Sequence, residues 1–243
     1  MPRLHELIAR NLDCSKTEAR RLIEAGEVRD SAGVPLLDPR LNLPDSALPL
    51  AISIEGQPES LVEHVTLALH KPVGYVTALR DDRHPVAYSL LEAAPLFSHL
   101  RPVGRLDLET SGLLIWTTDG PLLQRLTHPK RAVPRTYHAA LARPFAALPA
   151  QLVLDDGHQP QVVNLEVIAA AQAHLALARP PEATCYASIT IVGGAYHEVR
   201  RIFAALESHV LALCRVSFGG LALPTELGPG EFRVIDPRDT VLG

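Results

Sequence analysis

The sequence contains no run of about 20 uninterrupted apolar residues, the length that spans a bilayer. Met1 to Arg10 mixes charges with apolar residues and lacks the continuous hydrophobic segment of a signal peptide, so residence in the cytoplasm without membrane association is expected. Cysteine is scarce: Cys14, Cys185 and Cys214 stand singly, without CxxC or Cys/His spacing, and neither a disulfide framework nor a metal site is expected. The 11 histidines form no HxH or HExxH pair. Neither GxGxxG nor GxxxxGK[ST] occurs, which removes the usual sequence grounds for a nucleotide cofactor, and no cofactor is expected. Excess positive charge is missing too. A net charge of -4 argues against a uniformly basic nucleic-acid binder while leaving local patches open.

The composition, 47% hydrophobic and 21% charged, is that of a globular chain, and 243 residues suffice for one large or two modest domains. Of the 23 basic residues only Lys16, Lys71 and Lys130 are lysines. The arginine fork suits phosphates and bases, although genome composition produces the same bias.

Residues 3–26 read as two short helices, because Leu4, Leu7 and Ile8 and then Ala19, Leu22 and Ile23 stand at i, i+3, i+4. Ser15-Lys16-Thr17-Glu18 reads as a capping box and Gly26 as a stop. Lys16 and Arg20 share a face one turn apart, with Arg21 beside them, which makes either a phosphate-contacting patch or an ordinary solvated face. The Pro-rich stretch from Gly26 to Glu63 reads as small strands and a linker. A boundary near residue 61 separates a first domain, 1–61, from a second, 62–243. In the second, Val65–Leu69, Leu113–Thr118, Val162–Ile168 and Ala187–Val192 read as strands, interleaved with helical stretches near 121–128 and 197–207. Without a regular βαβ repeat, an α+β domain on a mixed, largely antiparallel sheet is expected.

Three segments display chemistry. Asp107 lies in the polar loop Gly104 to Gly112 ahead of an apolar strand, either as a functional carboxylate, with Arg105 two residues away to hold it ionised, or as a turn residue bonding its own backbone. Arg135 to Ala139 alternates and sets Tyr137 on one strand face, where an aromatic ring either packs or stacks on a nucleobase. Gly193 to Arg201 is a glycine turn entering a helix whose core stripe is Val199, Ile202, Phe203 and Leu206. Helical geometry then turns Arg200 toward a cleft and Arg201 toward solvent or phosphate.

Together these segments resemble the pseudouridine synthases, in the branch that modifies bacterial ribosomal RNA. The likeness is carried by Lys71-Pro72-Val73-Gly74-Tyr75-Val76, by GRLDLETSGLLIWTTDG at 104–120, by RTYHA at 135–139, by GGAYHEVRRIFAAL from Gly193, by HVLALCRVSFGGLAL from His209 and by PGEFR at 229–233. It reaches residues 1–60, which look like the family's small α/β RNA-binding domain, and is weak around 80–100 and 143–190. Glu207-Ser208 departs from the pattern, standing where the family usually has a glycine followed by Asn.

The resemblance implies the pseudouridine synthase fold and isomerisation of a uridine in ribosomal RNA without metal or cofactor. Asp107 matches the catalytic aspartate, Tyr137 the stacking tyrosine, Arg200 the active-site arginine and Leu213 the pocket-lining leucine. Under this reading Arg200 is the ionic partner of Asp107, Arg105 helps bind substrate, and Lys16, Arg20, Arg21 and Arg201 contact RNA. Asp81-Asp82-Arg83-His84-Pro85 resembles a segment of the small-subunit enzyme. A large-subunit target and a non-catalytic RNA-binding assembly factor are the alternatives. The expected partner is ribosomal RNA, free or in a partly assembled subunit, and the expected state is a monomer.

Overall fold

The computed structural model describes residues 1–236 and Arg238. Its elements, in chain order, are α1 (Leu4–Asn11), α2 (Lys16–Glu24), β1 (Val28–Asp30), β2 (Leu50–Ile54), β3 (Gln57–Leu61), β4 (Thr66–Lys71), β5 (Arg101–Val103), β6 (Thr110–Thr117), α3 (Gly120–Thr127), β7 (Arg135–Leu141), β8 (Gln161–Ile168), β9 (Cys185–Val192), α4 (Glu198–Ala205), β10 (Val210–Phe218), β11 (Leu221–Ala222) and β12 (Phe232–Val234). They form two compact units. The first is Met1–Val65 with Ala94–Leu100; the second is Thr66–Ala93 with the described residues from Arg101 onward.

In the first unit the apolar stripes of α1 and α2 pack with Val28, Ile52, Ile54 and Leu61 of the antiparallel sheet β1-β2-β3. Burying each large aliphatic side chain contributes roughly 1.5–3 kcal/mol, which offsets the cost of ordering two short helices. Ser15 caps α2, its Oγ accepting from the Glu18 N–H at 3.1 Å. Gly26 leaves the helix at φ +74°, a conformation that favours glycine. The Glu18 carboxylate accepts from Arg21 at 2.7 Å, so the capping box is realised on its Ser15 side.

The second unit is a nine-stranded sheet in the order β12-β4-β6-β10-β7-β9-β8, with β5 also on β6 and β11 on β10. Of the pairings only β6 with β10 is parallel, and the architecture is α+β. β6 starts earlier than its apolar run, because Thr110, Ser111 and Gly112 pair with Leu213, Cys214 and Arg215 of β10. Gly112 permits that approach: at φ +108° a Cβ there would lie 2.3 Å from the Arg215 carbonyl oxygen. α4 ends with Glu207 in the left-handed region, at φ +62°, the conformation a glycine at this position would adopt without strain. Ser208 N–H returns to the Phe203 carbonyl at 2.8 Å, completing the cap. Among the described residues no helix is long and apolar enough to cross a membrane.

Candidate active site

Asp107 lies on the loop between β5 and β6, and distant groups hold that loop through its backbone. Each carbonyl from Arg105 to Thr110 accepts a hydrogen bond. Arg215 Nη1 donates to Arg105 O at 3.4 Å, Thr77 Oγ1 to Leu106 O at 2.9 Å, and the Thr110 N–H to Asp107 O at 3.1 Å. The Gly74 N–H donates to Leu108 O at 2.9 Å, Arg200 Nη2 to Glu109 O at 3.0 Å, and Lys71 Nζ to Thr110 O at 2.7 Å. Thr77 Oγ1 also accepts from the Leu106 N–H at 3.0 Å. A loop with its polar backbone spent in this way presents its side chain in one geometry.

Lys71 is completely buried. Burial pushes its ammonium down to about 8, against the opposing pull of the Asp107 and Glu109 carboxylates. Its Nζ also donates to Pro72 O at 2.8 Å, so its bonds run to backbone carbonyls on both sides of the loop's base.

Above the loop opens a pocket of about 440 Å³. Tyr137 of β7 stands opposite Arg215 of β10, and Leu213 lies two residues along β10 on the same face. Both Tyr137 and Leu213 are buried and line the pocket. The turn ahead of α4 supplies the remaining wall. His197 sits there at φ +51°, its ring stacked on Tyr196 with centroids 3.9 Å apart, and its Nε2 lies 3.9 Å from Asp107 Oδ1. Buried Glu198 fixes this turn by accepting from the Ala195 N–H at 3.1 Å and from His158 Nε2 at 2.8 Å. The pocket thus offers a carboxylate, an aromatic ring, an apolar contact and a basic lining, which suits a planar polar base carried on an anionic chain.

Five residues expected at the site, Asp107, Arg105, Tyr137, Arg200 and Leu213, line this one pocket. One role needs correction. Arg200 is not the ionic partner of Asp107: its guanidinium is spent on the carbonyls of Glu109 and, at 3.2 Å, Val210. The basic group within 4 Å of the carboxylate is His197. Helical geometry turned Arg200 to the cleft, but the carbonyls at the loop's edge intercept it first. Arg105 is exposed and lines the pocket, and its carbonyl is one of those that anchor the loop. The Asp107 side chain is 39% exposed, so it is reachable from the pocket.

The expected RNA contacts are not among the residues that line the pocket. Lys16, Arg20 and Arg21 are exposed on α2, where Lys16 pairs with Glu6 at 2.8 Å, Arg21 with Glu18 at 2.7 Å, and Arg20 Nη2 lies 3.2 Å from His5 Nε2. Arg201 is held by Asp155, at 2.8 Å from its Nε, and by Asp156, so it is not a free solvent-facing cation. The acidic pair that claims it comes from a loop 45 residues earlier in the chain, beyond the reach of helix-face geometry.

Sequence reasoning missed Thr77, Lys71, His197, Arg135 and Arg215. For Arg135 a signal existed, since it stands two residues before Tyr137 and therefore on the same strand face.

The chain is similar to known proteins over nearly its whole length. Residues 65–205 match the family model of RNA pseudouridylate synthase. The ribosomal small subunit pseudouridine synthase A of Escherichia coli K12 is 34% identical, covering 98% of this chain and 97% of the relative. An uncharacterized RNA pseudouridine synthase of Bacillus subtilis is 29% identical, covering 98% and 96%. Among solved structures, a pseudouridylate synthase crystal structure superposes with a TM-score of 0.59 at 25% identity, covering 98% of each chain.

Proposed function

The chain belongs to the RNA pseudouridylate synthase family, and on that premise we propose that it isomerises a uridine of small-subunit ribosomal RNA to pseudouridine, with Asp107 as the reacting carboxylate. The observation that carries the reading is the gathering of Asp107, Tyr137 and Leu213 in one pocket above a loop whose carbonyls from Arg105 to Thr110 are all bonded. The small-subunit target is favoured by the nearly full-length likeness to an enzyme of that name.

The reaction breaks the bond from ribose C1′ to uracil N1, rotates the uracil, and joins C1′ to C5; the C5 proton leaves and N1 gains one, so the product is an isomer. The target base must first leave its stack, at a cost of a few kcal/mol. Tyr137 and Leu213 offset part of that cost by packing against the extruded base. Asp107 then meets the base or the sugar from a fixed position, with His197 beside it. Arg200 is a positioning residue that holds the loop through Glu109 O. Lys16, Arg20 and Arg21 are proposed to meet the RNA backbone from α2. The partner is small-subunit ribosomal RNA, free or in a partly assembled subunit, and the protein works as a monomer in the cytoplasm.

Asp107→Asn should fold as the wild type does, because the side chain is substantially exposed and its one near-ionic contact is long. It should lose pseudouridine formation by about 10⁴-fold or more. Mapping pseudouridines in ribosomal RNA from cells lacking the gene, complemented with either form, decides the matter. A small-subunit site that reappears with Asp107→Asn removes the carboxylate from its role. A missing site in the large subunit instead moves the substrate there.

A further inference from the structure

Two arginines in the pocket have donor groups that no bond within the site uses. Arg215 is almost completely buried, and two of its nitrogens are occupied: Nε donates to Leu113 O at 2.8 Å and Nη1 to Arg105 O. Its Nη2 is buried without a hydrogen-bond partner. A buried charged donor left unpaired is costly, and an occupant that accepts from it removes that cost. Arg135 stands beside it. The two guanidinium carbons lie 5.2 and 5.3 Å from the centroid of the same Phe218 ring. Arg135 is half-buried and, among the described residues, its guanidinium makes no hydrogen bond or ion pair within the protein.

Neither arginine has a carboxylate of its own. The acidic residues of the pocket are committed elsewhere, Glu198 to His158 and the Ala195 N–H, Asp107 nearest to His197. Two like charges set against one aromatic ring repel, and an anion between them removes both the repulsion and the unpaired donor. The fork of each guanidinium matches the paired oxygens of a phosphate.

Position selects the kind of anion. Arg135 and Gly194 also line a second pocket, of about 430 Å³, whose other walls include His128, Pro129 and His158. Arg135 therefore stands at the junction of two concavities, where a strand with one nucleotide in each would place the linkage between them. We propose that Arg135 and Arg215 form a phosphodiester subsite that takes the backbone phosphate between the extruded uridine and its neighbour. Phe218 acts as the platform that holds both forks toward it.

The subsite rests on the uridine-isomerising reading, and two assays separate them. Uridine, uridine 3′-monophosphate and uridine 5′-monophosphate are titrated into the full chain and followed by calorimetry or NMR. One monophosphate should bind about tenfold or more tightly than uridine, the advantage expected of a charge-assisted pair. Arg135→Gln should erase that advantage while leaving uridine affinity unchanged. Because Arg135 anchors no backbone group, this variant should keep the wild-type melting temperature. Arg215→Lys, which keeps the charge and loses the fork, should reduce the advantage in part, and if it unfolds Arg135→Gln still decides. Equal affinities for all three ligands, or an advantage that survives Arg135→Gln, overturns the subsite.

The second assay measures pseudouridine formation in small-subunit ribosomal RNA, where Arg135→Gln should raise KM about tenfold with a smaller effect on kcat. An unchanged KM also overturns the subsite. If the wild type forms no pseudouridine, the proposed function fails while the titration still decides the subsite.

Discussion

Replacing Thr77 by valine removes one oxygen from the molecule and should cost more than any other single-atom change near Asp107. The hydroxyl donates to Leu106 O at 2.9 Å and accepts from Leu106 N–H at 3.0 Å, and both residues are 5% exposed. Valine fills almost the same volume, so no cavity contributes to the outcome. What remains is a backbone donor and a backbone acceptor, both buried and both without partners. At roughly 1–3 kcal/mol each, the loss of stability should be on the order of 2–6 kcal/mol, a large share of what an ordinary domain has. The loop has one escape, which is to shift until water reaches Leu106, and that shift displaces the neighbouring carboxylate. A displacement of about 1 Å at a reacting group can cost 10²-fold in rate. Denaturant unfolding and single-turnover pseudouridine formation therefore have to be read together, with Thr77→Ser as the control that keeps the hydroxyl. The valine variant should lose stability, rate or both, and the serine variant should regain most of each. A valine variant within about 0.5 kcal/mol of wild type and with undiminished rate would refute the argument that Thr77 holds the loop.

Two further outcomes follow from single groups. Lys71 is held near pKa 8 in the folded chain, below its ordinary 10.5, so between those pH values the unfolded chain carries a proton that the folded chain has released. Folding stability should therefore rise with pH across that window by an amount of order 3 kcal/mol, and the rise should be missing in Lys71→Met; parallel unfolding profiles for the two proteins from pH 7 to 10.5 would contradict it. Glu207 holds the left-handed cap of α4 at φ +62°, so Glu207→Gly should stabilise the protein by about 1 kcal/mol in thermal or denaturant unfolding, and a loss of stability would show that the glutamate side chain earns its place.

Much of the fold was legible because its signals are local. The stripes Leu4, Leu7, Ile8 and Ala19, Leu22, Ile23 marked α1 and α2, and the apolar runs marked β4, β6, β8 and β9 to within a few residues. β10 is apolar enough to have been seen. Its place at the sheet's centre was not legible, since its parallel pairing with β6 joins residues 103 apart in the chain and depends on the bare Cα of Gly112. At the site, likeness to a family found Asp107, Tyr137 and Leu213, whose side chains line the pocket.

The positioning residues were harder to read for a physical reason. Thr77, Lys71, Arg200 and Arg215 reach the loop across 29, 39, 91 and 110 residues, and each ends on a carbonyl, a group every residue carries. A pattern of side chains holds no trace of which carbonyl will be bonded. Arg200 shows the consequence. Its type and helix face are equally consistent with neutralising Asp107 and with bonding Glu109 O, and only the second puts both of its terminal nitrogens on acceptors. The two roles respond differently to replacement by lysine. A countercharge survives Arg200→Lys, whereas a fork that joins Glu109 O to Val210 O does not, because a single ammonium is too compact to span both. The arginine is therefore required for its shape as much as for its charge.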